Sequence, residues 1–458
     1  MTRPTPLSGF PEWLPAERLA EQQVLDRLRR TFELYGFSPL ETRAVEPLDQ
    51  LLRKGETSKE VYILRRLQAV EGAQSGSASA EPGGARLGAD DEVSLGLHFD
   101  LTVPFARYVL ENAGKLQFPF RRYQIQKVWR GEKPQAGRYR EFLQADIDIV
   151  DRDTLPPHYE AEIPLVIGDA LRSLPIPAVR IMVNNRKLCE GFYRGLGLED
   201  PEEILRIVDK LDKIGPNAVA ELIIGAGGTE SQAKACLALA EIRSQDTSFA
   251  DAVRALGVEH PLLDEGIAEL SAVVETAREH SPGLVEATLK IARGLDYYTG
   301  TVYETELAGY EQYGSICSGG RYDNLASAGK DVFPGVGISI GVSRLLGLLF
   351  DSDALAVSRP TPTAVLVALW SEEERAASNR IAAALRARGI ATEVAPVPAK
   401  LGKQIRYAER RGIPFVWFPA SASAEGGDQV KDIRSGEQVA ADSGEWNPPA
   451  ADMAPTLQ

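Results

Sequence analysis

The stretch RYQIQKVWRGEKPQAGRYREFLQADIDIV, residues 122–150, decides the fold. Its two ends alternate with period two. Tyr123 and Ile125 alternate with Gln124 and Gln126, and Leu143, Ala145, Ile147 and Ile149 alternate with Phe142, Gln144, Asp146 and Asp148. Such alternation marks strands whose successive side chains point to opposite faces. The middle, GEKPQAGRYR, carries glycine and proline and reads as a long, mobile hairpin loop. One face of the second strand is therefore Phe-Gln-Asp-Asp. Buried, each of its two carboxylates and its amide needs a partner; solvated, none does. Arg130 ends the first strand, and Arg138 and Arg140 flank the turn into the second. Guanidinium forks beside a ring and acidic receptors can hold a polyphosphate, a planar base and a cationic amine together. The alternative is a charged surface hairpin.

The rest of the chain bounds this reading. Its 458 residues suggest about three domains with ample core. No run of about 18 apolar residues exists, so no membrane span is expected, and the N-terminus MTRPTPLSGFPEWLP has no apolar signal core. Cys189, Cys236 and Cys317 are the only cysteines, far apart and odd in number, which argues for a reducing compartment and against a disulfide framework or a zinc site. The net charge of −14 disfavours nucleic-acid binding by bulk attraction, so any such contact must come from a local basic face.

Residues 11–35 have helical spacing, with Gly36 as a stop. Residues 70–91 are rich in Gly, Ala and Ser and read as a flexible insertion without an assigned function. In SLGLHFDLTVPFARYVLEN, a strand leads to Asp100 and Thr102, with Thr102 as a helix cap and Pro104 in the first turn. From 195 to 280 the pattern is helical with almost no strand signal. Strand text resumes with TLKIARGLDYYTGTVYETEL and CSGGRYDNL. In these, Arg293 sits beside two tyrosines and Gly319–Gly320 allow a close backbone approach to a ligand. In GVGISIGVSRLLGLLF, Gly337, Ser339 and Gly341 leave one strand face nearly bare, which suits a flat base, and a helix follows with Arg344 in its first turn. From 361 a βαβαβ alternation implies a small, mostly parallel α/β domain. Its helix carries Lys400, Lys403, Arg406, Arg410 and Arg411, either a basic patch for nucleic acid or a solvated helix face.

WRGEKPQAGRYREFLQADIDIV resembles motif 2 of class II aminoacyl-tRNA synthetases in its histidyl form. The DYYTGTVYETEL and CSGGRYDNL segments resemble the two histidine-specific signatures of that family, and GVGISIGVSR resembles motif 3. The resemblance runs through nearly the whole chain. It implies an α+β catalytic domain on an antiparallel sheet (1–194 and 281–357), an all-helical insertion (195–280) and a C-terminal α/β anticodon-binding domain (361–458). FSPLETRAVEP stands at motif 1, the dimer segment, but has Arg43 where relatives place a proline. A homodimer therefore rests on the family.

The implied reaction is ATP-dependent ligation of L-histidine to tRNA(His) through histidyl-adenylate, in the cytoplasm, with Mg²⁺ on the pyrophosphate arm. The implied roles put Arg130 and Arg293 on the α-phosphate. Glu132, Arg138, Phe142, Gly337, Ser339 and Arg344 hold the nucleotide. Asp100, Thr102 and Gln144 hold the ammonium, Asp148 and Tyr298 the imidazole, and Tyr297 and Tyr322 the pocket wall; Arg293 also faces histidine. Lys133, Gln135, Lys400, Lys403 and Arg406 approach tRNA. A rival of another class shares the catalytic fold: the non-charging regulatory subunit of ATP phosphoribosyltransferase. Such proteins generally lack the C-terminal domain and lose motif arginines.

Overall fold

The computed structural model describes residues 4–52, 60–65, 94–291, 297–420 and 427–458; the 70–91 stretch and Arg293 lie outside the described residues. The chain divides into two compact units, Met1–Pro11 with Arg27–Leu348, and Glu12–Asp26 with Leu349–Gln458.

The first unit is built on nine strands: β1 (Ser38–Pro39), β2 (Phe120–Trp129), β3 (Glu141–Val150), β4 (Val179–Asn185), β5 (Arg243–Ser244), β6 (Val285–Thr288), β7 (Thr301–Leu307), β8 (Cys317–Tyr322) and β9 (Gly335–Gly341). Their spatial order is β1-β2-β3-β9-β8-β7-β4-β6-β5. Every pairing from β2 through β4 is antiparallel. Outside that centre, β1 joins β2 in parallel and β6 joins β4 in parallel, so the expected antiparallel sheet is the middle of a mixed one. A two-residue strand such as β1 is too short to show alternation.

The hairpin β2–β3 forms in the register that the alternation requires, Arg122 opposite Asp148 and Gln126 opposite Gln144. Ala145, Ile147 and Ile149 are fully buried on the other face of β3. Burying each such isoleucine favours folding by about 1.5–3 kcal/mol, and the period of two then commits Gln144, Asp146 and Asp148 to the opposite side.

Helix α1 spans Pro15–Leu34, starting later than Pro11. Helix α2 spans Thr102–Asn112, and α3 (His158–Arg172) packs on β9 and β4. After α4 (Arg186–Gly195) come α5 (Pro201–Val208), α6 (Leu211–Gly225), α7 (Glu230–Glu241), α8 (Ser248–Arg254) and α9 (Pro261–His280). Their starts follow capping chemistry: the Asp200 carboxylate accepts from Glu203 N, and Thr229 and Gln232 form a reciprocal capping box. The one non-helical piece is β5, which docks this segment on β6. Helix α10 (Val342–Asp351) follows β9 directly, with Leu345, Leu346, Leu348 and Leu349 buried.

The second unit has a five-stranded sheet of β10 (Val365–Val367), β11 (Thr392–Val394), β12 (Phe415–Phe418), β13 (Gln429–Asp432) and β14 (Gln438–Ala440). The order is β11-β10-β12-β13-β14; the first three strands are parallel and an antiparallel hairpin completes the edge. Val365, Val367 and Trp417 bury one face with Leu385 of α11 (Arg375–Ala387). Leu366 and Val416 bury the other with Ala408 of α12 (Leu401–Arg411). Burial on both faces is why these strands read as continuous apolar runs.

Candidate active site

Directly opposed residues of an antiparallel ladder share a face. The registers therefore stack three polar rows across the sheet. One is Arg122, Asp148, Gly337 and Gly320; the next is Gln124, Asp146, Ser339, Ser318 and Glu304; the third is Gln126, Gln144 and Gly341.

In the first row both oxygens of Asp148 are held. Arg122 Nη2 lies 2.6 Å from Oδ2, and Tyr322 Oη donates to Oδ1 at 2.6 Å. Arg122 is itself fully buried, donating to the Leu101 carbonyl and the Gln124 amide oxygen, with its guanidinium 4.4 Å from the Phe105 ring centroid. Charge-assisted bonds of this kind are strong where water is excluded. Burial, then the Asp148 charge, pushes the Tyr322 phenol well above its usual range. Tyr298 lies buried beside it; burial raises its phenol too, and its ring centroid is 4.6 Å from that of Tyr297. The result is a buried cluster of a fixed acid and two phenols.

The bare strand face is used differently from the expectation. A Cβ on Gly337 would sit 2.3 Å from Asp148 Oδ1, one on Gly335 2.5 Å from the Tyr322 ring, and one on Gly320 2.8 Å from the Tyr298 ring. These glycines make room for the pocket's own side chains rather than for a base. Gly337 thus stands beneath Asp148. On this strand only Ser339 and Gly341 line the neighbouring cleft.

That cleft has an empty volume of ≈ 670 Å³ and is lined by Arg130, Glu132, Arg138, Phe142, Gln144 and Arg344 among others. Glu132 lies 3.7 Å from Arg130 and 3.5 Å from Arg138. The Arg130 guanidinium stands 5.1 Å from the Phe142 ring centroid, and its Nε donates to the Phe99 carbonyl at 3.0 Å. Arg344 donates to the Tyr313 carbonyl; burial, then repulsion from Arg138, lowers its pKa. Three guanidiniums crowded so closely favour a polyanion among them.

Asp100 and Thr102 are both buried near the first row, but their local roles differ from the expectation. Asp100 Oδ1, not Thr102, caps α2 by accepting from Val103 N at 3.1 Å. Lys133 and Gln135 are exposed at the hairpin tip. There Gln135 and Arg138 exchange backbone bonds at 3.2 and 2.8 Å, so the loop is a turn rather than an open coil. In the second unit, Lys400 at the N-cap of α12 and Lys403 and Arg406 within it are exposed, while Gln404 is buried and pins the helix through both directions of its amide to Leu369.

Four residues carried no assigned role in the sequence reading. Arg122 was hidden by its place at the edge of the pattern. Glu60, whose carbonyl accepts from Gly131 N at 2.8 Å, has its carboxyl raised by burial and by Glu132. Glu304, on the Ser318 row, is raised to about 7, first by burial and then by Asp209. Asp146, 1% exposed, is raised to about 7 by burial, with Arg122 opposing. For Asp146 and Glu304, alternation carried the signal.

The family model described as histidyl-tRNA synthetase matches residues 67–345, and one described as anticodon binding domain matches 364–445. The chain is 59% identical to a histidine–tRNA ligase of Micrococcus luteus, covering 100% of this chain and 99% of the relative. It is 58% identical to one of Cutibacterium acnes, with 99% of each covered. Among solved structures, the histidyl-tRNA synthetase of Nostoc sp. PCC 7120 matches with a TM-score of 0.82 at 34% identity, covering 96% of both chains.

Proposed function

This chain belongs to the histidyl-tRNA synthetase family, and we propose that the polar rows from Arg122 to Gly341, with the adjoining cleft, are where it activates histidine. It is a class II aminoacyl-tRNA synthetase that ligates L-histidine to tRNA at the expense of ATP. The regulatory-subunit reading is not favoured: charging ligases match end to end, and the anticodon-binding unit is present.

One observation carries the site assignment. A cleft lined by guanidiniums lies beside a buried cluster of a fixed acid and two phenols. ATP enters the cleft with Phe142 against adenine, and Glu132, Arg138, Ser339 and Arg344 around the sugar and phosphates. The carboxylate of histidine attacks the α-phosphorus; a C(O)–O–P bond forms, the bond to the bridging oxygen breaks, and pyrophosphate leaves with the electron pair. Negative charge on the phosphoryl oxygens is met by Arg130. The family resemblance adds Arg293. Each such fixed donor is worth about 2.7–4 kcal/mol in the transition state. A terminal ribose hydroxyl of tRNA then attacks the carbonyl and AMP departs.

Asp148, held by Arg122 and Tyr322, accepts from one imidazole nitrogen, and Tyr298 serves the other. Asp100, Thr102 and Gln144 face the ammonium. An amino acid lacking ring nitrogens would leave these buried groups unpaired, so specificity arises at binding. Mg²⁺ on the pyrophosphate arm would neutralise phosphate charge. No cluster of three or more His, Cys, Asp or Glu that could hold a metal occurs among the described residues. Glu304, on the same row as Ser318, is raised to about 7 by burial and by Asp209, with Lys290 opposing.

In this reading 195–280 lies over the acceptor arm, where Lys133 and Gln135 also approach, and 361–458 reads the anticodon through Lys400, Lys403 and Arg406. The enzyme works as a homodimer in the cytosol. ATP–pyrophosphate exchange with each of the twenty amino acids, followed by tRNA charging, tests it. Exchange driven by an amino acid other than histidine would refute the pocket.

A further inference from the structure

Asp146 is the middle residue of the polar face of β3, between Gln144 at the nucleotide cleft and Asp148 in the imidazole pocket. Same-face residues follow one another at about 6.8 Å along a strand. Its side chain is buried, yet neither carboxyl oxygen receives a well-formed hydrogen bond. The Ser339 hydroxyl opposite lowers its pKa without closing one. Buried acids without donors are rare enough in folded proteins to need a cause. The charges acting on it are Arg122 from β2, Asp148 on its own strand, and Asp100 before α2; the Tyr298 phenol lies in its field. Arg122 is already committed to Asp148 at 2.6 Å. Burial, opposed by Arg122 and reinforced by Asp148 and Asp100, raises Asp146 to about 7.

A histidine with its carboxylate toward the cleft and its ring toward Asp148 and Tyr298 places its α-carbon between the two, over Asp146. We propose that Asp146 is a substrate-binding residue, the counter-charge for the α-ammonium group, acting with Asp100. This rests on the site reading given above. The ammonium supplies the missing donors and cation, so a carboxyl that costs stability in the empty enzyme becomes satisfied in the occupied one.

The test is Asp146→Asn, which keeps shape and removes charge. Two competitive ligands are compared: histidinol, which has the amine, and imidazolepropionate, which lacks it. The variant should raise the KM for histidine and the inhibition constant of histidinol by about 30-fold or more, the usual effect of removing one partner of a buried charge pair. Imidazolepropionate and ATP should change less than threefold. The free variant should unfold at pH 8 no lower than the wild type, because a structural ion-pair role would lower its Tm. Equal weakening of both inhibitors, no weakening of either, or a lowered Tm overturns the proposal.

Wild-type calorimetry in two buffers of different ionisation enthalpy gives an answer even if the variant fails to fold. At pH 6.5, once the protons lost by each ligand's own ring are subtracted, histidinol should release more protons on binding than imidazolepropionate does, since the amine ionises Asp146. Equal release overturns the proposal. If the wild-type chain shows no histidine-dependent exchange, the site reading falls and this proposal with it; normal exchange with equal inhibitor losses overturns Asp146 alone.

Discussion

Gly337→Ala is a one-carbon change with a calculable collision. The new Cβ would lie 2.3 Å from Asp148 Oδ1, 2.5 Å from the Ile147 carbonyl oxygen and 2.6 Å from Asp148 Cγ. Ordinary carbon–oxygen contact needs roughly 3.3 Å, so the carboxylate must retreat by about 1 Å. The Ile147 carbonyl is backbone inside a paired strand and cannot yield as a side chain can. Asp148 would also leave the 2.6 Å positions that Arg122 and Tyr322 now hold. A misplacement of about 1 Å in a group that orients substrate can cost about a hundredfold in rate, equivalent to about 2.7 kcal/mol. Pyrophosphate exchange should therefore show kcat/KM for histidine down by about that factor, with the KM for ATP changed less than threefold. A kcat/KM for histidine within twofold of wild type would refute the idea that Gly337 exists to seat Asp148. A rise confined to ATP would return this glycine to the nucleotide side.

Arg130→Ala should lower kcat for exchange by about 10²–10³-fold while histidine still binds, measured by calorimetry; retained turnover would remove it from the phosphoryl centre. Phe142→Ala should raise the KM for ATP about tenfold and leave that for histidine alone, as expected for a lost stacking partner; an equal rise in both would place the ring elsewhere. Arg293→Ala should abolish exchange with an unchanged circular dichroism spectrum, and persistence near the wild-type rate would end its role. Replacing Lys400, Lys403 and Arg406 together by alanine should weaken tRNA charging and flatten its salt dependence while exchange continues; unchanged charging would leave α12 a solvated face.

The polar face of the central sheet was legible because period two leaves no choice once Ala145, Ile147 and Ile149 are buried. The hairpin, the α/β unit and the helical run from 195 to 280 carried the same kind of local signal. What was not legible depended on which atoms meet across strands. Gly337 looks equally empty in sequence whether a base or Asp148 fills it. Thr102 and Asp100 are both good caps, and only the approach of Val103 N picks Asp100. Arg122 could not be told from the arginine before it until the register set it opposite Asp148. Parallel partners at the sheet's edges are two to four residues long, too few to announce themselves.

Because Asp148 is braced from β2 and from β8, its carboxylate keeps its aim with no substrate present. In the proposed reading, the place for the ring is set before the ligand arrives. Backbone amides of these strands should then exchange with deuterium at nearly the same pace with and without histidine. The hairpin tip that carries Glu132, whose links to Arg130 and Arg138 span 3.7 and 3.5 Å, should instead slow markedly when ATP is added.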